Sequence, residues 1–307
     1  MSTNENKTSI HQKKSLWTRM KENRDCYILV APFMIMFLVF TVIPVLSSIF
    51  LSFTHFNMLE PPEWRGLLNY SRLFLDDDVF LIAVQNTLVF AFITGPISYF
   101  MCLIFAWLIN ELPPKLRAFM TLVFYAPSIS GSVYVIWQFI FSGDMYGLVN
   151  STLMRLGILN EPIQWLMDPK YNMKILIGVQ LWLSLGASFL AFIAGLQGIN
   201  PELYEAGAID GIRNRWQELW HITLPSMKPQ LMFGAVMQVA SSFAVSDIAM
   251  ALAGFPSTNY SARTVVTHIV DYGTVRYEMG YASAIATVLF VAMVFTKEII
   301  GLFLKEE

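Results

Sequence analysis

Ser188 follows Gly186 and Ala187 inside an apolar stretch, and a hydroxyl in that setting becomes a nucleophile only if a base lies within reach. The one histidine of the later chain beyond His221 is His268, and it falls in a polar connection outside the apolar stretches. Phe189 fills the next position. The other reading of Gly186, Ala187 and Ser188 is a small-residue face for close helix packing in a bilayer. A second set of residues suits binding: Asn86, Gln138, Gln180, Trp182 and Asp247 lie within long apolar segments. Amides and a carboxylate hold hydroxyl groups, and aromatic faces pack on the apolar faces of a sugar ring, so the set could line a saccharide path. Singly, each amide could equally brace a neighbouring helix. Asp247 is the only carboxylate well inside a segment, and facing lipid unpaired it would cost roughly 2.5–3.5 kcal/mol, so it should face a cavity or a partner. One carboxylate does not make a proton relay. The chain also lacks a GxxxxGK[ST] loop, so uphill transport would draw its energy from another subunit.

The elements that must position these residues are membrane helices. Of the 307 residues, 55 % are hydrophobic and 14 % charged, too apolar for a soluble domain of that size. Six segments reach the length that crosses the hydrocarbon, near 27–53, 80–109, 119–141, 174–196, 231–253 and 281–304. The fold class is therefore all-α, a polytopic membrane protein with six transmembrane helices. Residues 1–26 form a polar, basic tail with little to bury, followed by an apolar run too long for a signal-peptide core. Thirteen Lys and Arg fall on the side of the two termini and seven on the other, which predicts cytoplasmic termini: the tail 1–26 and the end 305–307. A net charge of −2, with no basic patch interleaved with aromatics outside the tail, argues against a nucleic-acid partner. Cys26 and Cys102 both fall toward the reducing side and are expected as free thiols. Asp76, Asp77 and Asp78 read as the solvated start of a helix.

Between the fourth and fifth segments, residues 197–230 interrupt the apolar pattern with EAGAIDGIRNRWQELWHITLP, Glu205 to Pro225. Asn200 and Pro201 open a first short helix, and Asp210 with Gly211 closes it, the glycine taking a left-handed conformation. Asn214 and Gln217 have the spacing of a capping box for a second, which Leu224 and Pro225 end. Leu203, Ala206 and Gly207, then Trp216, Leu219 and Trp220, give the pair an apolar face, suited either to a groove in another protein or to the headgroup layer.

This run resembles the cytoplasmic coupling loop of the permease subunits of binding-protein-dependent carbohydrate ABC importers, the maltose-importer permease family. The family pattern is Glu-Ala-Ala, three residues to Gly, then Ile-x-Leu-Pro. Glu205, Ala206, Gly211, Ile222, Leu224 and Pro225 match it, and Asp210 matches the sugar-importer branch. Gly207 replaces the second alanine, and ten residues instead of nine separate Gly211 from Ile222. Gly66, Leu67, Asn69, Tyr70, Leu73 and Phe74 before Asn86 and Thr87 resemble the same family in order and spacing. So do Pro32, Pro44, Tyr146, Gly147, Asn150 and the run Ala194 to Gln197.

The resemblance implies a six-span permease over 27–304 in a bacterial cytoplasmic membrane, with no cofactor of its own. It implies a second related permease, two cytoplasmic ATPase subunits that bind the ATP, and an extracytoplasmic solute-binding protein delivering a sugar. Glu205 and Gly211 would set the hairpin. Ala206 and Gly207 would permit close approach to the ATPase, and Trp216, Leu219 and Trp220 would tie the hairpin to the spans. Two other classes stay open. A likeness of Gly186-Ala187-Ser188 to the GxSG motif of rhomboid-type intramembrane proteases stops at Phe189, and a downhill channel would need no coupling loop.

Overall fold

The computed structural model describes residues 23–131 and 133–305, with side chains to Leu302, so the N-terminal tail up to residue 22 and the final two residues lie outside the described residues. The chain divides into two units at Phe50 and Leu51. One long helix, α1 (Arg24–Leu51), makes up the described part of the first unit and ends one residue past it, with a π turn at Leu38–Val42 two residues before Pro44. Proline lacks the N–H an α-helix needs and its ring presses on the carbonyl four residues back; a widened turn relieves both.

In the second unit a two-stranded antiparallel ladder, β1 (Thr54–His55) with β2 (Glu63–Trp64), leads to α2 (Leu68–Leu75). The remaining spans follow. The second is α3 (Asp78–Asn110). The third is α4 (Pro114–Ile129) bent by 81° from α5 (Val133–Ile140). After α6 (Leu148–Arg155) come α7 (Asn172–Leu183) and α8 (Ala187–Gln197), together the fourth span. The hairpin helices are α9 (Glu202–Ile209) and α10 (Arg215–Glu218). The fifth span is α11 (Lys228–Phe243) with α12 (Asp247–Ala253); α13 (Val265–Val270) precedes the last, α14 (Met279–Lys305). Among the described residues five helices are long and apolar enough to cross a membrane, six with the bent pair as one span, matching the six segments expected.

The centre is α3 packed against α8 and α11. Lipid tails are as apolar as leucine, so close packing rather than hydrophobic transfer holds such helices together. Gly234 shows it: a Cβ there would meet Phe192 Cζ at 2.3 Å, so the glycine admits the buried ring of α8 against α11.

Hydropathy does not disclose that the third, fourth and fifth spans are broken, after Ile129, at 184–186 and at 244–246. Irregular backbone at membrane depth survives only where protein or a wet cavity satisfies its polar groups. Here Cys102 Sγ reaches the Ser184 carbonyl at 3.4 Å, and Thr264 Oγ1 donates to the Val245 carbonyl at 2.7 Å. Cys102 and Cys26 are both free thiols.

Candidate functional site

The hairpin follows its sequence signals closely at three points. Asn200 Oδ1 accepts from the Glu202 amide at 3.1 Å, so it caps the first helix from just outside. Gly211 has φ +96° with nothing within 4 Å of where a Cβ would stand, so conformation, not space, demands glycine. Asn214 Oδ1 accepts from the Gln217 amide at 2.9 Å. The return bond of the box lands one residue early, from the Arg213 amide to Gln217 Oε1 at 2.8 Å.

Leu224 and Pro225 do not end the second helix. It runs on through a π turn at Leu219–Thr223 and reaches Ser226; the break comes at Met227, φ −99° and ψ 9°. A turn closed by i to i+5 bonds takes up one residue more than an α turn. It therefore absorbs the extra residue between Gly211 and Ile222 and relieves Pro225, as the turn before Pro44 does in α1. The widened turn is filled by side chains. His221 Nδ1 donates to the Gln217 carbonyl at 2.9 Å, the atom an α-helical turn would have bonded, and Thr223 Oγ1 donates to the Glu218 carbonyl at 3.3 Å and meets Tyr204 Oη at 3.0 Å.

Several expected roles change. Gly207 faces inward, not toward a partner: its missing Cβ makes room for Ile222 and Ile212. Glu205 lies exposed on the outward side of α9 without a side-chain hydrogen bond among the described residues, so it does not set the hairpin by contact. Ala206, Asp210, Trp220 and Pro225 are also exposed; Ile222 and Leu219 are buried and Leu224 is half-buried. Of the two tryptophans only Trp216 ties the hairpin to a span, its ring 5.2 Å from that of Trp107 at the end of α3. Arg215 supplies a second tie, pairing with Glu111 at 3.1 Å and with Glu218 at 2.7 Å.

At the other end of the bundle, the polar residues assigned to a substrate path separate. Asn86 Nδ2 donates to the carbonyls of Tyr260 and Arg263 at 3.1 and 2.9 Å; it braces a connection and does not line a path. Gln138, Gln180, Trp182 and Asp247 sit on α5, α7 and α12, which pack on one another. Trp182 lies edge to face with Trp137 at 5.4 Å, and Gln138 Nε2 donates to the Ala251 carbonyl at 2.6 Å while lining a cleft of about 280 Å³. Gln180 is half-buried and makes no side-chain hydrogen bond among the described residues. Asp247 is exposed in the first turn of α12, where the positive helix end favours a carboxylate, and accepts from Ser246 Oγ at 2.9 Å. Ser246-Asp247 is a helix-opening pair, so this break was readable in the sequence.

The aspartate triplet does not act as one solvated start. Asp76 ends α2 and Asp78 begins α3, but Asp77 is buried: it caps α3 by accepting from the Phe80 amide and also accepts from Tyr281 Oη at 2.7 Å and His268 Nε2 at 3.0 Å. His268 Nδ1 in turn accepts from Arg263 Nε at 2.9 Å, so the ring is neutral with its proton on Nε2. Arg263 pairs with Asp271, which also holds Arg276; Arg72 pairs with Glu278 and lies over the Tyr281 ring at 4.3 Å. Burial lowers the pKa of His268, against the opposing charge of Asp77. Burial works to raise Asp77 and Asp271, but hydrogen bonds from Tyr281 and Phe80 to the first, and from Arg263 to the second, carry both below the ordinary carboxylate range.

Among the described residues no base stands beside Ser188. Ser188 Oγ donates to the Gly234 carbonyl at 3.3 Å, and both nitrogens of His268 are committed elsewhere.

Residues 115–303 match the family described as binding-protein-dependent transport system inner membrane component. The chain is 34 % identical over 283 residues to the probable ABC transporter permease protein YesP of Bacillus subtilis, covering 91 % of this chain and 89 % of that one. It is 30 % identical to the arabinooligosaccharides transport system permease protein AraP of the same organism, covering 92 % and 89 %. Its fold is similar to a chain in the crystal structure of a bacterial alginate ABC transporter in complex with alginate pentasaccharide-bound periplasmic protein: TM-score 0.75, 25 % identity, 95 % of this chain and 99 % of that chain covered.

Proposed function

This chain belongs to the family of inner membrane components of binding-protein-dependent transport systems, and from that premise we propose that it carries a sugar or oligosaccharide inward, driven by a separate ATPase. It is a transport subunit, and ATP is bound by its neighbours: two cytoplasmic ATPase subunits dock on the hairpin, and a second, related permease completes the path. A solute-binding protein delivers the saccharide from outside, and both termini face the cytoplasm. The saccharide assignment draws on the relatives, two of which are named for arabinooligosaccharides and lactose transport.

One observation carries the mechanism. The hairpin leaves Leu203, Ile209, Trp216 and Trp220 exposed, Ile209 by 87 %, yet is fixed to α3 through Trp107 and Glu111. Exposed apolar side chains on a small rigid knob are a docking face, and a knob tied to a central span transmits displacement to it. Movement of the ATPase pair would then rock the spans about the broken helices at 184–186 and 244–246. Gln138, Gln180, Trp182 and Asp247 gather beside those breaks and form the substrate wall.

Site-directed cross-linking tests this reading. A cysteine at Ile209 should cross-link to a co-expressed ATPase subunit, and labelling from each side should place Trp216 inside; an external Trp216 refutes the coupling assignment. Uptake of a panel of labelled saccharides, with and without this chain, tests the solute class.

A further inference from the structure

We infer that the aromatic cleft at the end of the bundle opposite the hairpin is a subsite for an acidic saccharide, the sugar ring stacking on Trp165 and its carboxylate meeting Lys174. This rests on the saccharide transport proposed above and adds the class of sugar and the residues that select it.

Five aromatic rings run without a gap from the broken fourth span outward. Trp182 meets Trp137 at 5.4 Å, Trp137 stacks on Phe141 at 5.9 Å, Phe141 meets Trp165 at 6.4 Å, and Trp165 meets Tyr171 at 5.2 Å. Trp137, Phe141, Trp165 and Tyr171 share with Lys174 the wall of a cleft of about 410 Å³, a size that suits a small ligand. On the far side of Phe141 lies the cleft of about 280 Å³, where Gln138 and Gln164 add amides. Apolar ring faces beside amide groups are what a pyranose, with its C–H faces and hydroxyl edges, requires.

Trp165 is held in advance. Its Nε1 donates to Asn150 Oδ1 at 2.7 Å, and the same fully buried asparagine accepts from the Ile163 amide and donates to the carbonyls of Ser142, Asp144 and Ile163. One side chain thus pins both ends of the loop and fixes the indole plane, so little ordering is left to oppose binding. Asn150 and Trp165 are apart in sequence, and neither alone marks a site.

The charge decides the class. Lys170 lies over the Tyr171 ring at 5.3 Å, whereas Lys174 is exposed and forms no ion pair with any described residue. An ammonium without a partner, at the wall of an aromatic cleft, complements a carboxylate carried by a sugar.

The complete transporter, with its partner permease, ATPase and binding protein, is reconstituted in phosphatidylcholine liposomes and offered trigalacturonate or its carboxyl-reduced, neutral counterpart. Lys174→Gln should raise the half-saturating concentration for trigalacturonate about tenfold, the size of one charge-assisted contact, and leave that for the neutral sugar unchanged. Lys174→Arg should restore it, and Trp165→Ala should weaken both sugars. The inference is overturned if Lys174→Gln changes both sugars equally or neither, or if its effect appears only when anionic lipid is added, since the lysine then serves a headgroup. Wild-type uptake of neutral saccharides alone also overturns it while leaving the proposed function standing. Uptake of no saccharide at all overturns the two together.

Discussion

Gly207 and Ile222 meet across the hairpin so closely that a Cβ at position 207 would lie 2.6 Å from Ile222 Cδ1, with Ile212 Cδ1 at 3.1 Å. Both obstacles are ends of flexible side chains, so Gly207→Ala should be tolerated with a small shift, while Gly207→Val should separate the two helices. If this contact positions the knob, Gly207→Val lowers uptake per ATP hydrolysed, and trimming its neighbour in Gly207→Ala/Ile222→Val should give less than the sum of the single effects. Strict additivity in thermal stability would show that the two do not touch.

Gly211 poses a different demand, since space is open there and only the backbone angle is special. Gly211→Ala should cost about 1–2 kcal/mol, the penalty of a side chain at positive φ, and Gly211→Asn less, because asparagine visits that region more readily. Gly211→Pro, whose ring fixes φ near −65°, should uncouple ATP hydrolysis from uptake while the protein still inserts. Thermal unfolding in detergent and the ratio of uptake to hydrolysis check both, and equal stability of the alanine and asparagine variants would contradict the angle.

How much of this was legible follows from the range of the signal. The hairpin wrote its caps locally, in Asn200, Gly211, Asn214 and Gln217, and the spans wrote theirs in runs of apolar residues. The breaks were obscured because a hydropathy average passes over three irregular residues, although Ser246-Asp247 was an available sign. The partnership of Asp77 with His268 could not be read, because the two are 191 positions apart and an aspartate before a helix is ordinarily accounted for by its cap. The inward turn of Gly207 was hidden likewise, since a small residue permits close approach without saying whose.

That distant partnership sets a pH dependence. His268 is neutral and its folded pKa is lowered, so its contribution is complete above the ordinary value of about 6.5 and is lost as pH falls through the lowered one. A proton on Nδ1 would confront the Arg263 Nε–H that now donates to it. Asp77 and Asp271, also lowered, add stability that is present above the ordinary carboxylate value of about 4 and fades at more acid pH still. The melting temperature should therefore be flat from pH 8 to about 6.5 and fall below it. His268→Gln keeps a donor for Asp77 without titrating and should flatten the first part of that fall. Asp77→Ala, which strands buried partners, should cost about 3–5 kcal/mol. A wild-type profile level down to pH 5 would contradict the assignment of His268.

Asp247 offers a cleaner separation of path from scaffold, because it is exposed and, among the described residues, its carboxylate is hydrogen-bonded to its neighbour Ser246 alone. Asp247→Ala should leave the melting temperature within about 0.5 kcal/mol equivalent and the ATPase bound, yet lower saccharide uptake. An unchanged uptake rate across candidate sugars would return Asp247 to a role in bracing α12.

The pair of Arg215 and Glu111 tests the transmission itself. Both side chains are well exposed, so the ion pair should contribute less than about 1 kcal/mol to stability, and its loss should barely move the melting temperature. Its position is what matters: with the Trp107–Trp216 contact it ties the hairpin to α3. Arg215→Glu should then reduce uptake per ATP hydrolysed without unfolding the chain, and Trp107→Ala should act in the same direction. Adding Glu111→Arg to Arg215→Glu re-forms the pair with the charges exchanged and should recover the coupling, although Glu218 then gains a like charge beside it and keeps the rescue partial. High salt should mimic the single variant, since exposed pairs are screened. If the exchanged pair recovers nothing while stability stays level, displacement of the hairpin reaches α3 through the tryptophans alone.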